Sequence, residues 1–271
     1  MRTPAPAPAY HPVMSPLRLV RGVAAATVLL VVTACNIQFG TGIEATDTWT
    51  KSYKVSAAAT LEILETTGKI HVTGGDGGEI RVTATKHAKA STEEAAKTAA
   101  KEVAIKESAT ADRVSLDSRA SGQLSIGQSR WVDYDVTVPR GAHVTIKTTN
   151  GEVKVRDLGG LLQIEATNGE IDASGLSHGA DISAVNGVIT LEMTAIGSAG
   201  VRCKLVNGEV IVRVPRDTKA SVSARITNGQ IEVENLDLPR AERRRLDAPL
   251  NGGGPEIRLE ATNGEIRIVG R

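Results

Sequence analysis

TTNGEVKV at residues 148–155, ATNGEIDA at 166–173, AVNGVITL at 184–191, LVNGEVIV at 205–212, ITNGQIEV at 226–233 and ATNGEIRI at 261–268 are six variants of one phrase. A shorter relative, TTGKIHV, stands at 66–72. The shared pair is Asn-Gly: Asn150-Gly151, Asn168-Gly169, Asn186-Gly187, Asn207-Gly208, Asn228-Gly229 and Asn263-Gly264. The Asn positions step by 18, 18, 21, 21 and 35 residues. A period of about 20 residues is the mark of stacked coils, none of which can bury its apolar face alone. Around each Asn-Gly the apolar residues alternate with polar ones, which is the strand period. Before the turn the inward set reads Val144/Ile146, Leu162/Ile164, Ile182/Ala184, Cys203/Leu205, Val222/Ala224 and Ile257/Leu259. After it come Val153/Val155, Ile171/Ala173, Ile189/Leu191, Val210/Val212, Ile231/Val233 and Ile266/Ile268.

The expected fold is therefore all-β: a single-stranded β-solenoid with about 18–21 residues per coil. Asn and Gly both tolerate positive φ, so the strand can turn a corner there, and stacked Asn side chains can form a hydrogen-bonded ladder along the axis. Asn-Gly is also the strongest hairpin signal, which would give an antiparallel meander instead. The non-inverted phrase and its steady period favour the solenoid. Six coils at about 4.8 Å make a stack about 30 Å tall. In the third coil Val188 takes the place of a polar residue, and a local irregularity is expected there.

Two stretches interrupt the pattern. Residues 88–130 read as an insertion near the N-terminal end. Within it STEEAAKTAAK (91–101) predicts a helix with a capping box from Ser91 to Glu94, placed to cover an open sheet edge. Residues 238–255, LPRAERRRLDAPLNGGGP, form a second, short insertion before the last coil. Asp237 could cap a short helix there, carrying Arg240, Arg243, Arg244 and Arg245. This basic knob suits phosphate headgroups or an acidic partner, or is simply a solvated face.

Residues 1–34 read as a targeting segment. Arg18 and Arg21 flank an apolar run from 23 to 32 that is too short to span a bilayer comfortably. It ends in Val-Thr-Ala-Cys, which resembles a bacterial lipoprotein signal with Cys35 as the acylated residue; Val32 stands where Leu is commonest. An ordinary signal peptide or an uncleaved anchor are the alternatives. Residues 35–50 read as a tether, and 51–271 as the solenoid domain.

The whole chain of 271 residues carries a formal charge of +1. Removing 1–34 removes Arg2, Arg18 and Arg21 and no acid, leaving 29 basic against 31 acidic residues, net −2. That balance offers no footprint for nucleic acid. Aromatic content is 2%, and no Phe, Tyr or Trp occurs from 141 to 271, so base- or sugar-stacking platforms are missing from the repeats. Cys203, in VRCKLV, points inward as a small hydrophobe. No CxxC or His/Cys cluster suggests a metal, and no cofactor is expected.

No catalytic set stands out. His71, His87, His143 and His178 are scattered, and Ser177-His178 is a loop pair. There is neither a G-x-S-x-G elbow nor a P-loop. Asp133 and Asp135 share a strand face; the spacing suits a cation or a glycosidase pair, but also the outward face of any strand. Glu152, Glu170, Glu209, Gln230 and Glu265 form a column in which like charges would stack about 4.8 Å apart unless bases intervene.

Residues 60–84, the stretch VDYDVTVPRGAHVTIKTTNGEVKV (132–155) and the recurring TNGEI phrases resemble the bacterial β-strand-repeat family labelled "putative adhesin", a domain of unknown function. The resemblance covers about residues 50–271. It implies a β-solenoid on an exported, often membrane-tethered protein; fold alone does not fix function. The expected role is a non-enzymatic, lipid-anchored scaffold or adhesin facing the extracytoplasmic side of a bacterial envelope. Its partners would be the membrane, through the lipid, and an envelope protein or surface ligand. Neither nucleic acid nor a small-molecule substrate is expected. A sensor domain of an envelope-stress system and a polysaccharide-acting enzyme are the other readings.

Overall fold

A computed structural model describes residues 42–122, 128–242 and 244–271. Residues 1–34, expected as a signal, Cys35 and the expected tether up to residue 41 lie outside the described residues, as does Arg243. The chain runs β1 (Ile43–Lys54), β2 (Thr60–Leu64), β3 (Thr67–Gly75), β4 (Glu79–Ala90), α1 (Glu93–Glu102), β5 (Lys106–Ala109), β6 (Arg113–Asp117) and β7 (Ser129–Pro139). The repeats follow as β8 (His143–Arg156), β9 (Leu161–Leu176), β10 (Gly179–Met193), β11 (Gly200–Val214) and β12 (Ala220–Glu234), then β13 (Arg245–Leu250) and β14 (Glu256–Gly270).

Each repeat strand is continuous through its Asn-Gly corner and pairs in parallel with the next, Asn on Asn and Gly on Gly. This is the solenoid, not the meander. Buried positions change parity across the corner: Val144, Ile146 and Thr148 before it, Val153 and Val155 after it. The change of parity lets both arms of the bent strand face one core. That core is a single cluster of Val, Ile, Leu and Ala running the length of the stack. In the third coil the expected irregularity at the corner is absent. Val188 stacks between Glu170 and Glu209, and Ile189 between Ile171 and Val210. Val188 simply occupies the outward place, and the register slip lies further on, between Leu191 and Met193.

The corner depends on glycine for two reasons. Gly208 has φ +132°, and a Cβ there would sit 1.8 Å from the Gly187 carbonyl oxygen. The same contact recurs between successive corners, so the Gly column lets the backbones close up. Asn keeps an ordinary φ and supplies the ladder instead. Asn168 Nδ2 donates to Asn150 Oδ1, Asn186 to Asn168 and Asn207 to Asn186, each at 2.8 Å.

The ladder then leaves sequence order. Asn263 donates to Asn207 (2.7 Å), and Asn228 donates to Asn263 (2.9 Å). The final strand β14 therefore lies between β11 and β12, not beyond β12. The long last step is the detour this requires. Among the described residues of 238–255 there is no helix for Asp237 to cap. The segment passes through an irregular stretch into β13, which pairs antiparallel with β12 over Ala220–Arg225. An isolated helix this short is marginal, whereas β13 satisfies the backbone groups along part of β12's edge.

At the N-terminal end the two arms part. β2 extends the pre-corner arm of β8, with β6 parallel to β2 and β5 antiparallel to β6. β3, β7, β4 and β1 extend the post-corner arm. Residues 43–50, expected as tether, are the first part of β1, which pairs with β4 over its whole length. Their Thr-rich composition reads as polar linker but also suits an edge strand. The helix is capped by Thr92, not Ser91: Thr92 is extended and its Oγ1 accepts from Ala95 N at 3.2 Å. Ala96, Ala99 and Ala100 are buried on the helix, and Ala99 and Ala100 form a small cluster with Ala88 of β4. Lys86 reaches the Lys101 carbonyl (3.3 Å) and Asp47 (2.6 Å). The helix therefore covers the inner face of this end, while β1 itself is the edge strand.

Candidate interaction site

Residues that precede the Asn corners line a broken trough on the pre-corner side of the ladder. Two hollows mark it. One of about 400 Å³ is lined by Lys147, Thr148, Thr149, Glu165, Ala166 and Thr167, with Glu65, Arg119 and Ser183. The other, of about 230 Å³, is lined by the equivalent residues of later rungs, among them Lys204, Leu205, Arg225, Thr227, Glu260 and Thr262. Strand register makes these one set of columns. The outer column runs Lys147, Glu165, Ser183, Lys204, Glu260, Arg225. The floor runs Thr148, Ala166, Ala184, Leu205, Ala261, Ile226. Charge alternates along the outer column, so like charges are kept apart. Lys147 pairs with Glu165 at 2.9 Å, and Arg258 holds Glu260 at 2.7 Å.

Glu65 closes the N-terminal end of the floor. It is 3% exposed. Its Oε1 accepts from Thr66 N and Thr67 N, both at 3.1 Å, and the Ser118 hydroxyl donates to Oε2. Burial outweighs these bonds and raises its pKa to about 7. The neighbouring Thr148 hydroxyl is buried without a hydrogen-bond partner among the described residues. Glu65 was legible in the sequence: Leu61, Ile63 and Glu65 alternate, so a carboxylate falls in an inward phase.

On the post-corner side the expected acidic column is present: Glu152, Glu170, Val188, Glu209, Glu265 and Gln230 stack in that order. Lys154 pairs with Glu152, and Arg267 reaches Glu209 (3.4 Å), Glu234 (2.8 Å) and Glu265 (3.8 Å). Glu265 is still held above the usual carboxylate range, by burial and by Glu232 and Glu209. Among the described residues no group of three His, Cys, Asp or Glu could hold a metal ion.

Asp133 and Asp135 differ in setting, the first half-buried and the second exposed. Asp133 is committed to structure: Oδ1 accepts from Lys69 N at 2.8 Å, and Oδ2 lies 3.2 Å from His87 Nε2. His87 stacks on Trp131 with ring centroids 4.8 Å apart, and its Nδ1 meets Glu44 at 3.0 Å. This N-terminal cluster was hidden in the sequence, because only the β1–β4–β7 pairing brings its members together. His143 Nδ1 accepts from Leu161 N. The Ser177 and His178 side chains share no hydrogen bond among the described residues. Cys203 is fully buried, and burial pushes its thiol up to about 12. Of the basic knob, Arg244 Nη1 donates to the Thr227 carbonyl and Arg245 pairs with Asp247. The arrangement as a whole offers hydroxyls and alternating charges at strand spacing, which suits holding an extended chain.

The fold is an Asn-laddered β-solenoid. The chain belongs to the Toastrack DUF4097 family, whose model matches residues 75–269. Among solved structures it is similar to a "putative cell adhesion protein" from Clostridium sporogenes. The two are 14% identical with a TM-score of 0.50, over 84% of this chain and 100% of that one. A "putative adhesin" from Bacteroides fragilis is also 14% identical, with a TM-score of 0.39 over 82% of this chain and 97% of that one. No curated protein matches the sequence. Among the described residues no helix is long and apolar enough to cross a membrane.

Proposed function

We propose that this protein is a non-enzymatic interaction module, lipid-anchored at Cys35 and held on the extracytoplasmic side of a bacterial envelope, where it serves adhesion or scaffolding. The trough beside the Asn ladder carries this reading. It repeats at strand spacing, and its outer column of hydroxyls and alternating charges runs beside a largely apolar floor. The adhesion names of the similar structures and the Val-Thr-Ala-Cys signal point the same way.

The test is a glycan array and an envelope pull-down with wild-type protein and with Ala166→Trp, which fills the trough floor. A saturable ligand lost in Ala166→Trp supports the reading. A single membrane-protein partner that still binds Ala166→Trp moves the function to a sensor role elsewhere on the surface. Release of oligosaccharides from any glycan overturns the non-enzymatic reading. Separately, Cys35→Ser should release the protein from membranes; continued fractionation there means an uncleaved anchor.

A further inference from the structure

The C-terminal end of the stack is only half closed. β13 covers β12 over Ala220–Arg225. Arg244 covers the next two residues: its carbonyl accepts from Ile226 N, and its side chain donates to the Thr227 carbonyl. From residue 228 to 234 the outer edge of β12 has no strand beside it among the described residues. The side chains record the gap. At the two inward post-corner positions of every other coil, from Val153/Val155 to Ile266/Ile268, the residue is fully buried. Ile231 and Val233 hold the same positions on β12 and are only half-buried. The chain beyond β12 turns under the stack but does not fill the space. It leaves a hollow of about 520 Å³ lined by Ile231, Val233, Leu236, Leu238, Pro239 and Ala241 together with the charged Glu232, Glu234 and Arg240.

We propose that this edge takes an added β-strand from a partner protein. The strand's inward side chains are apolar and enter the hollow, and its outward side chains are basic. Unpaired backbone groups along an edge supply the pairing energy, and the pockets beside it supply selectivity. The basic preference follows from the outward face. Glu209, Glu265, Glu232 and Glu234 gather on the last three rungs; Arg267 and Arg213 stand among them and Arg240 lines the hollow, so acids still outnumber bases by four to three. The same acidity disfavours a symmetric pair of copies, which would bring two acidic edges together. This surface is separate from the trough, so its fate does not depend on the function proposed above.

The test uses the full chain in detergent and fluorescein-labelled octapeptides: alternating Lys-Val, alternating Glu-Val, alternating Lys-Ser, and Lys-Val methylated on every second backbone nitrogen. The Lys-Val peptide should bind saturably and slow amide exchange at 228–234. The other three should bind about tenfold more weakly or worse. In the double variant Glu232→Lys/Glu234→Lys the preference should reverse toward Glu-Val. Equal binding of the methylated or Lys-Ser peptide would reduce the effect to charge alone and overturn the proposal. Lack of binding by any peptide overturns it as well. Protection of 228–234 that rises with protein concentration in the absence of peptide would assign the edge to a second copy instead.

Discussion

Gly208→Ala should cost far more than one methyl group suggests. The new Cβ would lie 1.8 Å from the Gly187 carbonyl oxygen and 2.9 Å from its carbon. An ordinary C–H···O contact needs about 3.3 Å, so the two rungs must separate by about 1.5 Å. That separation breaks rung hydrogen bonds at the corner, two or three of them at about 1 kcal/mol each. Holding a non-glycine residue at φ +132° adds about 1–3 kcal/mol. The sum is about 3–6 kcal/mol, and for a domain of this size it lowers the melting temperature by about 6–24 °C. The assay is thermal unfolding of the compact unit Gly40–Arg271, followed by circular dichroism. Gly77→Ala is the control, since a Cβ there meets nothing within 4 Å. If both variants melt together, the close-stacked glycine column is the wrong account of the corner.

The ladder predicts a graded series. Asn186 donates to Asn168 and accepts from Asn207, whereas Asn228 only donates to Asn263. Asn186→Ala should cost about 1–2 kcal/mol in denaturant unfolding and Asn228→Ala about half as much; equal losses would refute a ladder of separate rungs. Glu65 predicts an unusual pH dependence. Its pKa is raised from 4.5 to about 7, so between those values the folded state holds a proton that the unfolded state has released. Stability should be unaffected by this group below pH 4.5 and fall through the window by about 3 kcal/mol, and Glu65→Gln should remove that slope. An unchanged slope in Glu65→Gln would place the titration elsewhere. Cys203 should stay unreactive toward a chromogenic disulfide reagent until the domain unfolds, because its thiol is buried between Ile182 and Leu259. Labelling under native conditions would mean that β11 opens locally.

The repeats were legible because alternation and period are local properties. Val153, Ile171, Ile189, Val210 and Ile266 all fall in the core as the phrases imply. What escaped the sequence is long-range. Nothing local distinguishes ATNGEIRI as an inner rung from ATNGEIRI as the last one, since its side chains suit either neighbour. The helix expected over 238–255 failed because a free sheet edge outweighs weak local preference. Residues 43–50 looked like linker because an edge strand needs no strong apolar pattern of its own. Glu65 lay in plain phase with Leu61 and Ile63; what the sequence withheld was the Ser118 hydroxyl that comes to meet it from 53 residues away.

The insertion of β14 between β11 and β12 changes how this molecule can be cut, extended or assembled. In a simple solenoid the last residues made form the outermost layer, and trimming them leaves a shorter but intact stack. Here β14, made after β12 and β13, is an interior course of the wall. Deleting β14 would strand the β12–β13 hairpin two courses from its support, and a C-terminal fusion hangs from the middle of the sheet rather than its end. The earlier coils can stack as they arrive, but β12 and β13 wait for β14 before they have a bed to rest on.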